Sequence, residues 1–105
     1  MLFAENAEVL AQIAGRGVDL SGVRNVDFSH LFSEEAGARL FAARALDLGY
    51  VGRIYEPELD RPEWDVTLTV AMVPTCESIT NSERALADIA SIHGGIPDGW
   101  GFLSD

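Results

Sequence analysis

Trp64-Asp65-Val66-Thr67-Leu68-Thr69-Val70-Ala71-Met72-Val73 is the stretch that sets the fold class. Trp64, Val66, Leu68, Val70 and Met72 face one way, and Asp65, Thr67, Thr69 and Ala71 face the other. Strict alternation of this kind marks a strand with one buried face and one face near water. Pro74 ends it, because proline cannot donate to a sheet ladder. A strand of this type belongs in an antiparallel sheet covered by helices on one side only.

The flanking segments supply the rest of such a unit. Arg24 to Phe32 also alternates: Val26, Phe28, His30 and Phe32 share one face, while Asn25, Asp27 and Ser29 share the other. Ser33 reads as a helix N-cap, with Glu34 and Glu35 in the first turn, where the helix dipole favours anions. That helix is expected to run to Leu48, with a stripe of Gly37, Phe41, Ala45 and Leu48, and to stop at Gly49. Tyr50 to Tyr55 reads as a second strand, followed by an acidic loop with Pro57 and Pro62. Thr80-Asn81-Ser82-Glu83 has the form of a capping box opening a helix that buries Leu86, Ile89, Ala90 and His93. Gly94 or Gly95 supplies its left-handed stop, and Trp100 to Leu103 reads as a short last strand.

Ahead of all this, Leu2, Val9, Leu10 and Ile13 recur at helical spacing, with Gly15 placed as a C-terminal cap. The expectation is one α+β domain over residues 1–105. It comprises an N-terminal helix over 1–16 and a core over 20–103 with the split βαβ order (βαββαβ). Its antiparallel sheet carries helices on one face, and the row Asp65, Thr67, Thr69 lies on the open face.

Composition narrows the function. The chain holds 17 acidic residues against 7 basic ones, a formal net charge of −10, and all seven bases are Arg. That balance disfavours direct nucleic-acid binding, which needs clustered positive charge, and favours basic partners. Cys76 is the only cysteine, so neither an internal disulfide nor a metal cluster is expected. No metal and no cofactor are expected. The first ten residues hold Glu5 and Glu8 and no base, unlike a signal peptide, and no apolar run approaches membrane-spanning length. A cytoplasmic setting with no membrane contact is the expectation.

Two features stand out as candidate sites. Glu56, Glu58, Asp60, Glu63 and Asp65 face only Arg61 in their stretch of sequence. They read either as a solvated loop or as an acidic surface for an Arg-rich segment. The second feature is His93-Gly94-Gly95-Ile96-Pro97-Asp98-Gly99-Trp100-Gly101, a glycine-rich corner. Its Trp100, beside Asp98, either closes the core or anchors a partner. His30 and His93 each lie on an apolar face and leave a small enzyme or ligand-binding protein as the alternative, should a carboxylate lie within reach in a pocket.

The assembled pattern resembles the family of the regulator of ribonuclease activity B. Three pieces carry the resemblance: Ala45-Leu46-Asp47-Leu48-Gly49-Tyr50, the alternating strand with its proline loop over 64–79, and Gly95-x-x-Asp98-Gly99-Trp100-Gly101. The last is the specific one, and together they span roughly residues 20–103. Ile96-Pro97 departs from the acidic and aromatic pair that the family tends to carry before Asp-Gly-Trp. The resemblance implies a ferredoxin-like fold and a non-enzymatic protein that inhibits endoribonuclease E by binding its Arg-rich C-terminal region. The acidic run and the glycine-rich corner supply the expected partner-binding residues: Glu56, Glu58, Asp60, Glu63, Asp65, Asp98 and Trp100. The open sheet face also leaves room for a homodimer.

Overall fold

The computed structural model describes residues 2–17 and 20–102. The elements run α1 (Leu2–Gly15), β1 (Arg24–Phe32), α2 (Glu35–Asp47), β2 (Val51–Tyr55), β3 (Trp64–Met72), α3 (Cys76–Ile92) and β4 (Gly95–Phe102). The strands form one sheet in the order β2-β3-β1-β4, with every neighbouring pair antiparallel. β1 and β2 are therefore parallel, with β3 inserted between them. This is the α+β, ferredoxin-like arrangement with an added N-terminal helix.

The alternation decides which face is dry. Val26, Phe28, His30 and Phe32 of β1 and Val66 and Leu68 of β3 are buried. Above them sit Ala38, Phe41 and Ala45 of α2 and Ile79, Leu86 and Ala90 of α3. The Phe41 ring packs on His30 at 4.7 Å and on Phe32 at 5.1 Å between centroids. Asp27, Ser29 and Leu31 alternate with the buried set and lie with Asp65, Thr67 and Thr69 on the opposite, half-exposed face.

Several local expectations are corrected. Ser33 does not cap α2: Glu34 is the N-cap, with extended backbone and no side-chain cap bond. The chain uses both residues to turn away from the end of β1. Leu48 is exposed rather than on the buried stripe, which ends at Ala45. At the other end of α1, Gly17 (φ +88°), not Gly15, takes the left-handed turn.

α3 begins four residues before the Thr80 motif. Thr75 is its N-cap: Thr75 Oγ1 accepts from the Ser78 N–H at 3.0 Å, and the Thr75 N–H donates to Ser78 Oγ at 2.9 Å. This is a capping box with Ser in place of Glu or Gln at its far end. Thr80 and Glu83 fall inside the helix, free to serve another element. Ile92 is exposed, so the buried stripe of α3 is Ile79, Leu86 and Ala90 with Ile89 partly covered.

The largest departure is β4. It is an eight-residue strand from Gly95 to Phe102, not a short one from Trp100; Leu103 lies outside the described residues. Pro97 is tolerated because β4 is an edge strand. A register shift at Ser29/His30 makes Asp98 the extra residue of a bulge, followed by Gly99 at φ +115°. Gly95 is required for a different reason. A Cβ at this position would collide with the ring of Phe32, its register partner. Gly95→Ala is therefore expected to lower unfolding free energy by about 2 kcal/mol through overpacking. Gly101→Ala, where a Cβ meets open space, should change it by no more than about 0.5 kcal/mol. Equal losses in urea unfolding would show that the Phe32 contact is not the cause.

Candidate functional site

The acidic loop joins β2 to β3 as an extended hairpin. Inside it, the Glu58 N–H donates to the Arg61 carbonyl at 2.7 Å and the Arg61 N–H donates back at 3.1 Å, closing a two-residue turn of Leu59 and Asp60. Glu56, Glu58 and Asp60 are exposed, and Glu63 is half-buried. The base of the loop is committed inward. Arg61 Nη2 donates to the Glu56 carbonyl at 2.7 Å, and Nη1 reaches Asp65 Oδ2 at 3.4 Å. Asp65 is thus the one carboxylate of the run partly neutralised by an arginine.

Asp65 also anchors a polar network on the helix-free face. Its Oδ1 accepts from Thr67 Oγ1 at 2.9 Å, and Thr67 Oγ1 lies 3.2 Å from Ser29 Oγ. One row along, Thr69 Oγ1 donates to Asp27 Oδ1 at 2.6 Å. The centre of the open face is consequently satisfied from within. The row of threonines and aspartates that was legible as an exposed strand face is bound together by hydrogen bonds.

Asp98 and Trp100 do not join this face as one unit. Asp98 is exposed on the β4 bulge, at the sheet edge opposite β2. Trp100 pairs in register with Phe28 and packs half-buried against the core, edge-to-face with Phe102 at 5.8 Å. Its indole Nε1 donates to Asn6 Oδ1 at 2.9 Å.

Asn6 carries a role that helical spacing alone did not expose. It is 3% exposed, and its Nδ2 donates to Thr80 Oγ1 at 2.9 Å and to Glu83 Oε1 at 2.6 Å. One side chain therefore joins α1, α3 and β4. Burial raises the Glu83 carboxyl above its ordinary range; the Asn6 bond opposes the shift and nearby Glu5 adds to it. An Asn on a helix otherwise patterned by Leu and Ile was the available signal.

The histidines occupy structural places. His30 is 2% exposed beneath Phe41, and its Nδ1 has no hydrogen-bond partner. Burial lowers its pKa from 6.5 to about 4, against weaker opposing effects of the Phe28 backbone, Asp65 and Asp98. A base needs a path to its substrate, and this ring is sealed in the core. His93 is the C-cap of α3, and its carbonyl lies where a Cβ on Gly37 would stand. Among the described residues no group of three His, Cys, Asp or Glu side chains is placed to hold a metal ion, and no helix is long and apolar enough to cross a membrane.

A search of curated proteins finds no match. A family model described as regulator of ribonuclease activity B matches residues 3–102. That span includes all but the first residue of the N-terminal helix, all four strands and the Asp98-Gly99-Trp100-Gly101 element. The chain therefore belongs to the regulator of ribonuclease activity B family.

Proposed function

We propose that this protein regulates ribonuclease activity as a non-catalytic binder of a basic polypeptide segment, such as the C-terminal region of ribonuclease E, within the cytoplasm. Glu56, Glu58 and Asp60 provide the main charge, with Glu63 beside them and Asp98 across the sheet. Asp65 and Trp100 act as braces, the first holding Arg61 inward and the second seating β4. The observation that carries this reading is the direction of Arg61. Its guanidinium turns onto Asp65 and the Glu56 carbonyl, leaving the exposed carboxylates of the hairpin unmasked. The net charge of −10 adds a long-range attraction for cationic chains and repels nucleic acid.

Titration of the protein with the ribonuclease E C-terminal region tests the proposal. Binding is expected at low salt and should weaken at least tenfold as salt rises into the range where the Debye length drops to a few ångströms. The triple variant Glu56→Gln, Glu58→Gln, Asp60→Asn should lose about tenfold in affinity at low salt, mostly through a slower association rate. No binding at low salt rejects this partner, and full affinity in the triple variant rejects this surface.

A further inference from the structure

We infer that the basic segment docks on an apolar row at one end of the open sheet face and must carry apolar side chains between its cationic ones; this inference rests on the proposed function above. The register aligns Tyr55 of β2, Asp65 of β3, Leu31 of β1 and Ile96 of β4 directly across all four strands. Residues paired in this way project from the same face of a sheet. Tyr55 is 44% exposed and Ile96 62% exposed, and Leu59 stands fully out at the tip of the hairpin that follows Tyr55. Apolar side chains lined up on a helix-free face mark a surface that gains by being covered.

The neighbouring rows select this end of the face. Toward the other end, Thr69 is bonded to Asp27 and Ser29 to Thr67, so a ligand there would have to displace hydrogen bonds already made. In these rows β4 contributes only Gly99 and Gly101 opposite Ser29 and Asp27, and β2 contributes Arg53 opposite Thr67 and the exposed Val51 opposite Thr69. They therefore carry a single apolar side chain, at the β2 edge, and a cation that a basic segment would avoid. At the row itself Asp65 is held by Arg61 and Thr67, and the flanking Tyr55, Leu31 and Ile96 are left to make contacts.

Charge selects the occupant. Glu56, Glu58, Asp60 and Glu63 border the row on the hairpin side, and Asp98 lies two residues beyond Ile96. A second copy would bring another −10 onto this surface, and an anionic membrane would be repelled in the same way. A cationic chain with apolar anchors satisfies both the row and its acidic rim. Four strands span roughly 14 Å, so an extended chain of about five residues crosses the row.

Two synthetic twelve-residue peptides of equal charge separate the possibilities, one alternating Arg with Leu and one alternating Arg with Ser. The Arg–Leu peptide should bind at least tenfold more tightly. The double variant Tyr55→Ser, Ile96→Ser should abolish that preference while leaving the Arg–Ser affinity unchanged. Equal affinity of the two peptides for the native protein, or an unchanged preference in the variant, overturns the row while leaving the acidic-surface reading standing. Failure of both peptides to bind at low salt overturns both. Sedimentation gives a further arm: a dimer of the native protein that Ile96→Asp dissolves would make a second copy the occupant and overturn the inference. Circular dichroism of the variants, expected to match the native spectrum at these exposed positions, keeps a folding defect from being read as a binding loss.

Discussion

Asn6→Ala is expected to cost about 3 kcal/mol of unfolding free energy and to release α1 ahead of the rest of the protein. The side chain is buried and makes three hydrogen bonds, to Thr80, Glu83 and Trp100. Truncation strands an indole N–H, a threonine hydroxyl and a carboxylate in a partly dry site. Each stranded polar group costs on the order of 1 kcal/mol or more, and water entering the gap recovers part of this. Among the described side chains of α1, Leu10 is the one buried group besides Asn6, while Val9 is exposed. Amide hydrogen exchange should show α1 losing protection first, with β1 and β3 following only on global unfolding. A loss below about 1 kcal/mol with α1 still protected would mean that the cluster is not what seats the helix.

Acid should weaken the fold through His30. Its folded-state pKa is lowered to about 4 from 6.5. Above pH 6.5 the ring is neutral in both states and has no effect. As pH falls from 6.5 toward 4, the unfolded chain takes up a proton that the folded chain refuses, so stability is lost across that window. The full shift corresponds to roughly 3 kcal/mol. Glu83 works in the opposite sense. Its raised pKa means that the folded state holds a proton more readily than the unfolded one, so acidification through that range returns some stability. His30→Leu removes the first effect and keeps the second. Urea unfolding at pH 7, 5.5 and 4.5 should give a native curve that falls with acid and a His30→Leu curve that is flatter. Parallel curves would place the acid sensitivity elsewhere. At pH 7 the variant removes the unpartnered Nδ1 but also the ring's interaction with the Phe28 backbone, so its stability should stay within about 1 kcal/mol of the native protein.

The legible parts of this molecule were those whose physics is local. β1 occupies Arg24–Phe32 and β3 ends within one residue of its expected limit because period-two alternation encodes a face and needs no knowledge of the partner strand. Gly49, at φ +95°, and Gly94, at φ +80°, turn the chain after α2 and α3 because a left-handed residue is cheap only without a Cβ. The acidic hairpin was legible as charge, but not as a hairpin with its arginine folded inward. Ser78 concealed the start of α3, because a serine in the place usually held by Glu or Gln makes a weak sequence signal while still closing the box in space.

By itself the chain determined the order of elements, the buried face of each central strand, the glycine stops and the sign of the surface. The tertiary structure decided β4, Asn6 and the apolar row. Gly95-Ile96-Pro97-Asp98-Gly99 has little intrinsic preference for a strand, and it becomes one because β1 offers an unpaired edge and Phe32 accepts only a glycine opposite. Asn6 finds Trp100 across 94 positions of chain, a separation over which no local pattern carries information. Tyr55, Leu31 and Ile96 come from three different strands, and only their register makes them neighbours, since hydrogen-bonded pairing rather than sequence spacing sets which side chains share a row.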